Sequence, residues 1–174
     1  AKFQHCQVGI ELCRIMNYLH SFKPNPILYL DLHPGNLLIC REQLKLIDFD
    51  QAALASLSQE RSVCYGTKGF AAPEQYEGGT LDERTDIYAI GALLYYMGTG
   101  HAPEGEIKAG QGSCRGDLYI LMGRCLRTEK KERCQSVREV LEALEKLEAR
   151  IFAERHIPLL RIAAAGSRSG IGVT

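Results

Sequence analysis

From Phe3 to Leu19 the apolar letters Cys6, Ile10, Cys13 and Leu12, Ile15, Met16, Leu19 recur at three and four residues, the spacing that predicts a helix with one buried face. Pro24 and Pro26 stop it. "ILYL" (27–30), "LLIC" (37–40) and "LKLID" (44–48) are then short, aliphatic and separated by turn or polar letters, so each predicts a short strand bracketing a loop. Residues 49–69 lose all period and hold Ser56, Ser58, Ser62, Tyr65 and Thr67, a loop composition. A second helix is predicted from about Glu83 or Thr85 to Met97. Its stripe of Ile87, Ile90, Leu93, Leu94 and Met97 is widened by Tyr88, Tyr95 and Tyr96 until it is apolar almost all round, which makes it central. Residues 98–116 are glycine-rich and aperiodic, and a third helix follows from about Asp117 to Leu126. Ser136 with Glu139 reads as a capping box opening a helix on Val137, Val140, Leu141, Leu144, Leu147 and Ile151, with Glu142 and Lys146 as an outward i,i+4 pair. The expected fold is mainly α, a helical bundle with a few short strands at its active edge.

A single domain of this length, 174 residues, buries about 70% of the surface its unfolded chain exposes. The 21 basic and 21 acidic residues cancel, so no net field draws the chain to nucleic acid or to an anionic membrane. The seven cysteines show no C-x-x-C pair and mostly sit in apolar stretches, which favours a reducing cytosol over a disulfide framework. No apolar run reaches the roughly 18 residues of a membrane span. The chain opens on Ala1 with a helical pattern already running, and we read it as part of a longer polypeptide.

Chemistry concentrates in "LDLHPGN" (30–36) and "IDFD" (47–50). Phosphoryl transfer asks for a carboxylate that orients the attacking hydroxyl and for oxygen ligands that hold magnesium against nucleotide phosphates. Asp31, Asn36 and Asp48 supply such a set, and a hairpin of "LLIC" with "LKLID" brings them to one mouth. Each alone also suits a turn; the ordered set between strands suits chemistry better.

"LYLDLHPGNLLIC…LKLIDFD" resembles the catalytic and metal-binding loops of the protein-kinase superfamily. Taken alone, "DLHPGN" with "IDFD" is closer to aminoglycoside and choline phosphotransferases. "GTKGFAAPEQY" (66–76) resembles the end of a protein-kinase activation segment, and "TDIYAIG" (85–91) the family's central helix with its buried Asp86. "CLRTEKKERCQS" resembles its late arginine motif. Over about residues 1–150 the pattern is most similar to bacterial serine/threonine protein kinases. The resemblance implies a kinase-type C-terminal lobe that uses ATP and magnesium to phosphorylate protein hydroxyls. It implies Asp31 as the group orienting the substrate hydroxyl and Asn36 and Asp48 as magnesium ligands. Leu38 would lie under adenine, Thr67 would bond Asp31 at the acceptor site, and Arg133 would pair with Glu74.

Departures from the pattern carry their own expectations. Tyr29-Leu30-Asp31 stands for His-Arg-Asp, so the arginine that grips an activation-loop phosphate is absent. His33 replaces a lysine that reaches the γ-phosphate, and Asp50 replaces a glycine. No glycine-rich loop, strand lysine or partner glutamate precedes Asp31, so the smaller N-terminal lobe is missing and the isolated chain is expected to bind ATP very weakly and turn over little. After Arg150 the pattern is read as a linker. A small-residue strand and Gly166, Gly170, Gly172 and Thr174 then resemble the start of a deviant phosphate-binding loop. Two rival readings stay open: a pseudokinase scaffold and a small-molecule phosphotransferase.

Overall fold

The structure, a computed structural model, describes the backbone of residues 2–58, 66–107 and 116–166, and side chains within 6–57, 66–107 and 116–154. Four helices carry the core: α1 (Lys2–His20), α4 (Glu83–Thr99), α5 (Asp117–Cys125) and α6 (Val137–Gly166). Leu12 and Met16 of α1 meet Ile87, Ile90 and Leu94 of α4, Met122 of α5, and Val140 and Leu144 of α6, all buried. The near-continuous burial of α4 from Thr85 to Leu94 bears out its central place. Its start is set locally, because Asp82 accepts from the Arg84 amide at 2.9 Å and Thr85 Oγ1 accepts from the Asp82 amide at 3.3 Å. Gly91 lets α5 approach α4: a Cβ there would lie 2.5 Å from that of Cys125. Among the described residues no helix is long and apolar enough to cross a membrane.

Two small antiparallel sheets lie at one edge. β2 (Leu37–Cys40) pairs with β3 (Gln43–Leu46) in the register Leu37↔Leu46 and Cys40↔Gln43. The turn between them places Arg41 and Glu42 at φ 49° and 63°, a left-handed pair whose twist matches that of the strands it joins. β1 (Ile27–Leu28) pairs with β4 (Ala53–Leu54), and a short helix α2 (Ala55–Ser58) and then α3 (Pro73–Glu77) complete the edge.

Several local expectations need correction. "ILYL" is a strand only at Ile27–Leu28, because the amides of Tyr29 and Leu30 are taken by a side chain rather than by a neighbouring strand. "LKLID" ends as a strand at Leu46, before Asp48 turns to φ 59°. The supposedly aperiodic stretch 49–69 contains β4 and α2; Ser62 and Tyr65 lie outside the described residues. In the predicted capping box Ser136 does accept from the Glu139 amide at 3.2 Å, but Glu139 reaches back to the Gln135 amide at 2.8 Å. Among the described residues the i,i+4 ion pair on α6 is Arg138–Glu142 rather than Glu142–Lys146. The backbone of α6 stays helical through Pro158 to Gly166, so the segment expected as a small-residue strand is helix, in keeping with its Leu, Arg and Ala content. Gly170, Gly172 and Thr174 lie outside the described residues.

Candidate active site

The loop after β1 is hung from α4. Asp86, fully buried, accepts the Tyr29 amide at 2.9 Å and the Leu30 amide at 2.8 Å, and His20 Nε2 lies 2.8 Å from the same carboxylate. Leu30 takes φ 66°, a left-handed backbone that a non-glycine residue holds only where its surroundings dictate it. Its side chain is buried with Leu28 and Leu81, with Ala53 and Ala55 packed around them. An apolar seat therefore occupies the position where the resemblance would put an arginine. Asp31 follows directly.

Both oxygens of Asp31 are engaged. Thr67 Oγ1 donates to Oδ1 at 2.8 Å, and Asn36 Nδ2 approaches Oδ2 at 3.3 Å while also donating to the Asp31 carbonyl at 3.0 Å. With its nitrogen committed, the atom that Asn36 can offer a cation is its amide oxygen. The Asn36 carbonyl accepts from the Ile47 amide at 3.0 Å, which sets Asp48 beside this loop through the β2–β3 hairpin. The structure thus brings Asp31, Asn36, Asp48 and Thr67 together. Asp50 gives its amide to Asp48 Oδ1 at 3.3 Å.

His33 caps the 3-10 turn Pro34–Asn36: its Nδ1 accepts from the Gly35 amide at 3.2 Å, so the neutral ring carries its proton on Nε2, 3.7 Å from Asp31 Oδ2. Proline at the first position of the turn has its φ pre-set. A Cβ at Gly35 would come 2.8 Å from His33 Cε1, so a larger residue there would have to displace the capping imidazole. Leu38 is about half exposed, Ile47 is exposed on the same face of the hairpin and Phe49 two residues further on, while Ile39 is exposed on the opposite face.

Tyr29 is buried and stacks edge-on against Phe49 with centroids 5.2 Å apart. Its hydroxyl donates to the Ile47 carbonyl. Burial first, and the charge of Asp31 second, hold the phenol above its ordinary value, so it remains a donor. Below the site, Arg133 grips Glu74 with two bonds of 2.7 and 2.8 Å, and Thr85 Oγ1 also donates to Glu74 at 3.0 Å. Two polar residues with enclosed side chains are not marked as site residues by the sequence pattern. One is His20, the partner of Asp86. The other is Gln75, whose amide joins the Ala72 backbone to the Leu30 carbonyl. Gln75 sits at no position that periodicity marks, whereas His20 continues the stripe of Cys13 and Met16 as its one polar letter. A cavity of about 480 Å³ lined by His20, Asp82, Arg84 and Ser136 lies at the N-terminal ends of α4 and α6, away from Asp31, and contributes nothing to this cluster.

Residues 4–155 match the family described as "Protein kinase domain". The chain is 30% identical over 166 residues to "Serine/threonine-protein kinase A" of Synechocystis sp., covering 81% of this chain and 32% of that protein. It is 30% identical over 175 residues to "Integrin-linked protein kinase 1" of Arabidopsis thaliana, covering 93% and 36%. To "Serine/threonine-protein kinase PknB" of Mycobacterium leprae it is 33% identical over 105 residues, covering 58% and 16%. The chain thus spans about a third of the length of the first two of these relatives. With the family matched across most of its length, and a bundle of helices carrying short strands at the edge where the matched loops meet, the chain belongs to the eukaryotic-like protein kinase family.

Proposed function

We propose that this chain is the larger lobe of a serine/threonine protein kinase, completed in its parent polypeptide by a smaller N-terminal lobe. The observation that carries this reading is the 2.8 Å bond from Thr67 to Asp31, which joins residues 36 apart and puts the acceptor-site segment against the carboxylate. Asp31 is the group that orients and receives the proton of a protein serine or threonine hydroxyl. Its two oxygens are pinned by Thr67 and Asn36, so the attacking hydroxyl meets a carboxylate already aimed. His33, with its proton on Nε2, is a donor toward the transferred phosphoryl group. Leu38, with exposed Ile47 on the same face, suits contact with adenine and with the smaller lobe.

The oxygens of Asn36 and Asp48 are the hard, anionic or dipolar donors that magnesium prefers, and two protein ligands are the usual number where substrate phosphates complete the shell. Magnesium bound with ATP neutralises the charge that develops on the phosphates. Buried Glu74, Arg133 and Asp86 keep the frame in register rather than touch substrate. Without the smaller lobe the chain binds ATP very weakly and turns over little. The free thiols of Cys6, Cys13, Cys125 and Cys134 support a cytosolic setting.

The test is transfer from radiolabelled ATP to a generic protein substrate by the full polypeptide and by its Asp31→Ala variant. Label on protein that falls about 10²-fold or more in the variant is expected. Equal label in both sinks the reading in favour of a scaffold, and transfer only to an amino sugar or amino alcohol points to a small-molecule phosphotransferase.

A further inference from the structure

Gln75 has a side chain that is 1% exposed and both ends of its amide are used. Its Oε1 accepts from the Ala72 amide at 3.0 Å, and its Nε2 donates 2.9 Å to the carbonyl of Leu30, 45 residues away. That carbonyl belongs to the peptide bond entering Asp31. The Leu30 amide is held by Asp86, so the strained Leu30 backbone, at φ 66°, is gripped from α4 on one side and from α3 on the other.

The same amide also shapes the segment that carries Thr67. Gly66 packs against it, for a Cβ at Gly66 would lie 3.0 Å from Gln75 Nε2 and 2.3 Å from the Ala71 Cβ. The Thr67 carbonyl accepts from the amides of Phe70 and Ala71 at 2.9 and 3.0 Å. A closed circuit results: Asp31 to Thr67 by side chains, Thr67 to Ala71 and Ala72 by backbone, Ala72 to Gln75, and Gln75 to the peptide that precedes Asp31.

Resting on the reading above, we propose that Gln75 is the positioning residue that couples the acceptor-site segment to the catalytic loop, so that Asp31 and the bound substrate hydroxyl are set as one unit. An uncharged amide meets both demands in a dry site, since it offers an acceptor at one end and a donor at the other without taking up a proton. A leucine offers neither. An ionised carboxylate keeps the Ala72 bond but turns a second oxygen toward the Leu30 carbonyl, and it can donate there only by taking up a proton.

Gln75→Leu and Gln75→Glu in the full polypeptide test this. Relative to wild type, kcat/KM for the protein substrate falls about ten- to hundredfold in both, the loss that misplacement of reacting groups produces. KM for ATP stays within about twofold in each. A role in stability alone would lower the melting temperature and leave kcat/KM of the folded fraction and KM for ATP unmoved; that pattern overturns the proposal. Hydrogen exchange separates failure of the coupling from failure of the kinase reading. Faster exchange of the Ala72 amide and of the Leu30–Asp31 segment in Gln75→Leu, with Ala72 protection kept in Gln75→Glu, upholds the coupling even if the wild type transfers no phosphate. Unchanged protection in Gln75→Leu refutes it.

Discussion

Replacing Arg133 by methionine removes the side chain with the most hydrogen bonds among the described residues. The guanidinium is fully buried and makes two bonds to Glu74 and one each to the carbonyls of Arg84, Arg127 and Thr128, at 2.7 to 2.9 Å. It also lies 5.1 Å from the centroid of the Tyr88 ring. Methionine fills much of the volume but strands the Glu74 carboxylate, which keeps, among the described residues, the bond from Thr85. Breaking a buried pair in this way costs about 3–5 kcal/mol, a large share of the roughly 5–15 kcal/mol that holds a domain folded. At about 2–4 °C per kcal/mol for a chain of this size, the melting temperature falls by about 6–20 °C. Urea unfolding followed by circular dichroism measures the loss. The double variant Glu74→Gln with Arg133→Met regains part of it, because the stranded charge is gone. A single variant within about 1 kcal/mol of wild type refutes the reasoning, and a double variant as unstable as the single one moves the cause from charge to packing.

Two further outcomes are expected. Gly91→Ala forces a Cβ to 2.5 Å from the Cys125 Cβ and 3.4 Å from the Met122 carbonyl, and the overpacking of α4 on α5 costs about 1–3 kcal/mol by the same unfolding assay; an unchanged or higher stability contradicts that contact. Burial alone would raise the Asp82 carboxyl, but hydrogen bonds from Arg84 and Lys130 outweigh it and lower it from 3.8 to about 2. A carboxylate held low stabilises the fold above its unfolded pKa, and that contribution is lost as pH falls from about 4 toward 2. Wild type should therefore lose about 2 kcal/mol more than Asp82→Asn across that interval, read from unfolding midpoints at successive pH values, and parallel curves for the two would exclude Asp82 as the source.

The long helices were legible because their apolar letters repeat at the helical period over three or more turns; α4 and the core face of α6 stand where Ile87, Ile90, Leu94, Val140 and Leu144 put them. The short elements were not. Tyr29 and Leu30 look like strand residues, yet their amides bond Asp86, 57 and 56 residues away, and no local pattern encodes a partner at that range. β4 and α2 escaped because Ala53, Leu54 and Ala55 neither alternate nor repeat at the helical period. In the site, the grouping of Asp31, Asn36 and Asp48 could be read from order and spacing. Gln75 could not, because its importance lies in what surrounds it after folding.

Beside the local bonds of His33 and Asn36, the bonds that tie this loop to the rest of the lobe join residues far apart in the chain: 36 for Thr67 with Asp31, 45 for Gln75 with Leu30, 56 and 57 for Asp86 with Leu30 and Tyr29. Each must close a long loop before it yields anything, and the entropy of that closure is met only once the larger surfaces around it have joined. The site is therefore a late product of folding. A partly assembled chain in which α4 has not docked possesses Asp31 as a residue but not as a directed carboxylate, so competence for chemistry and completion of the fold arrive together.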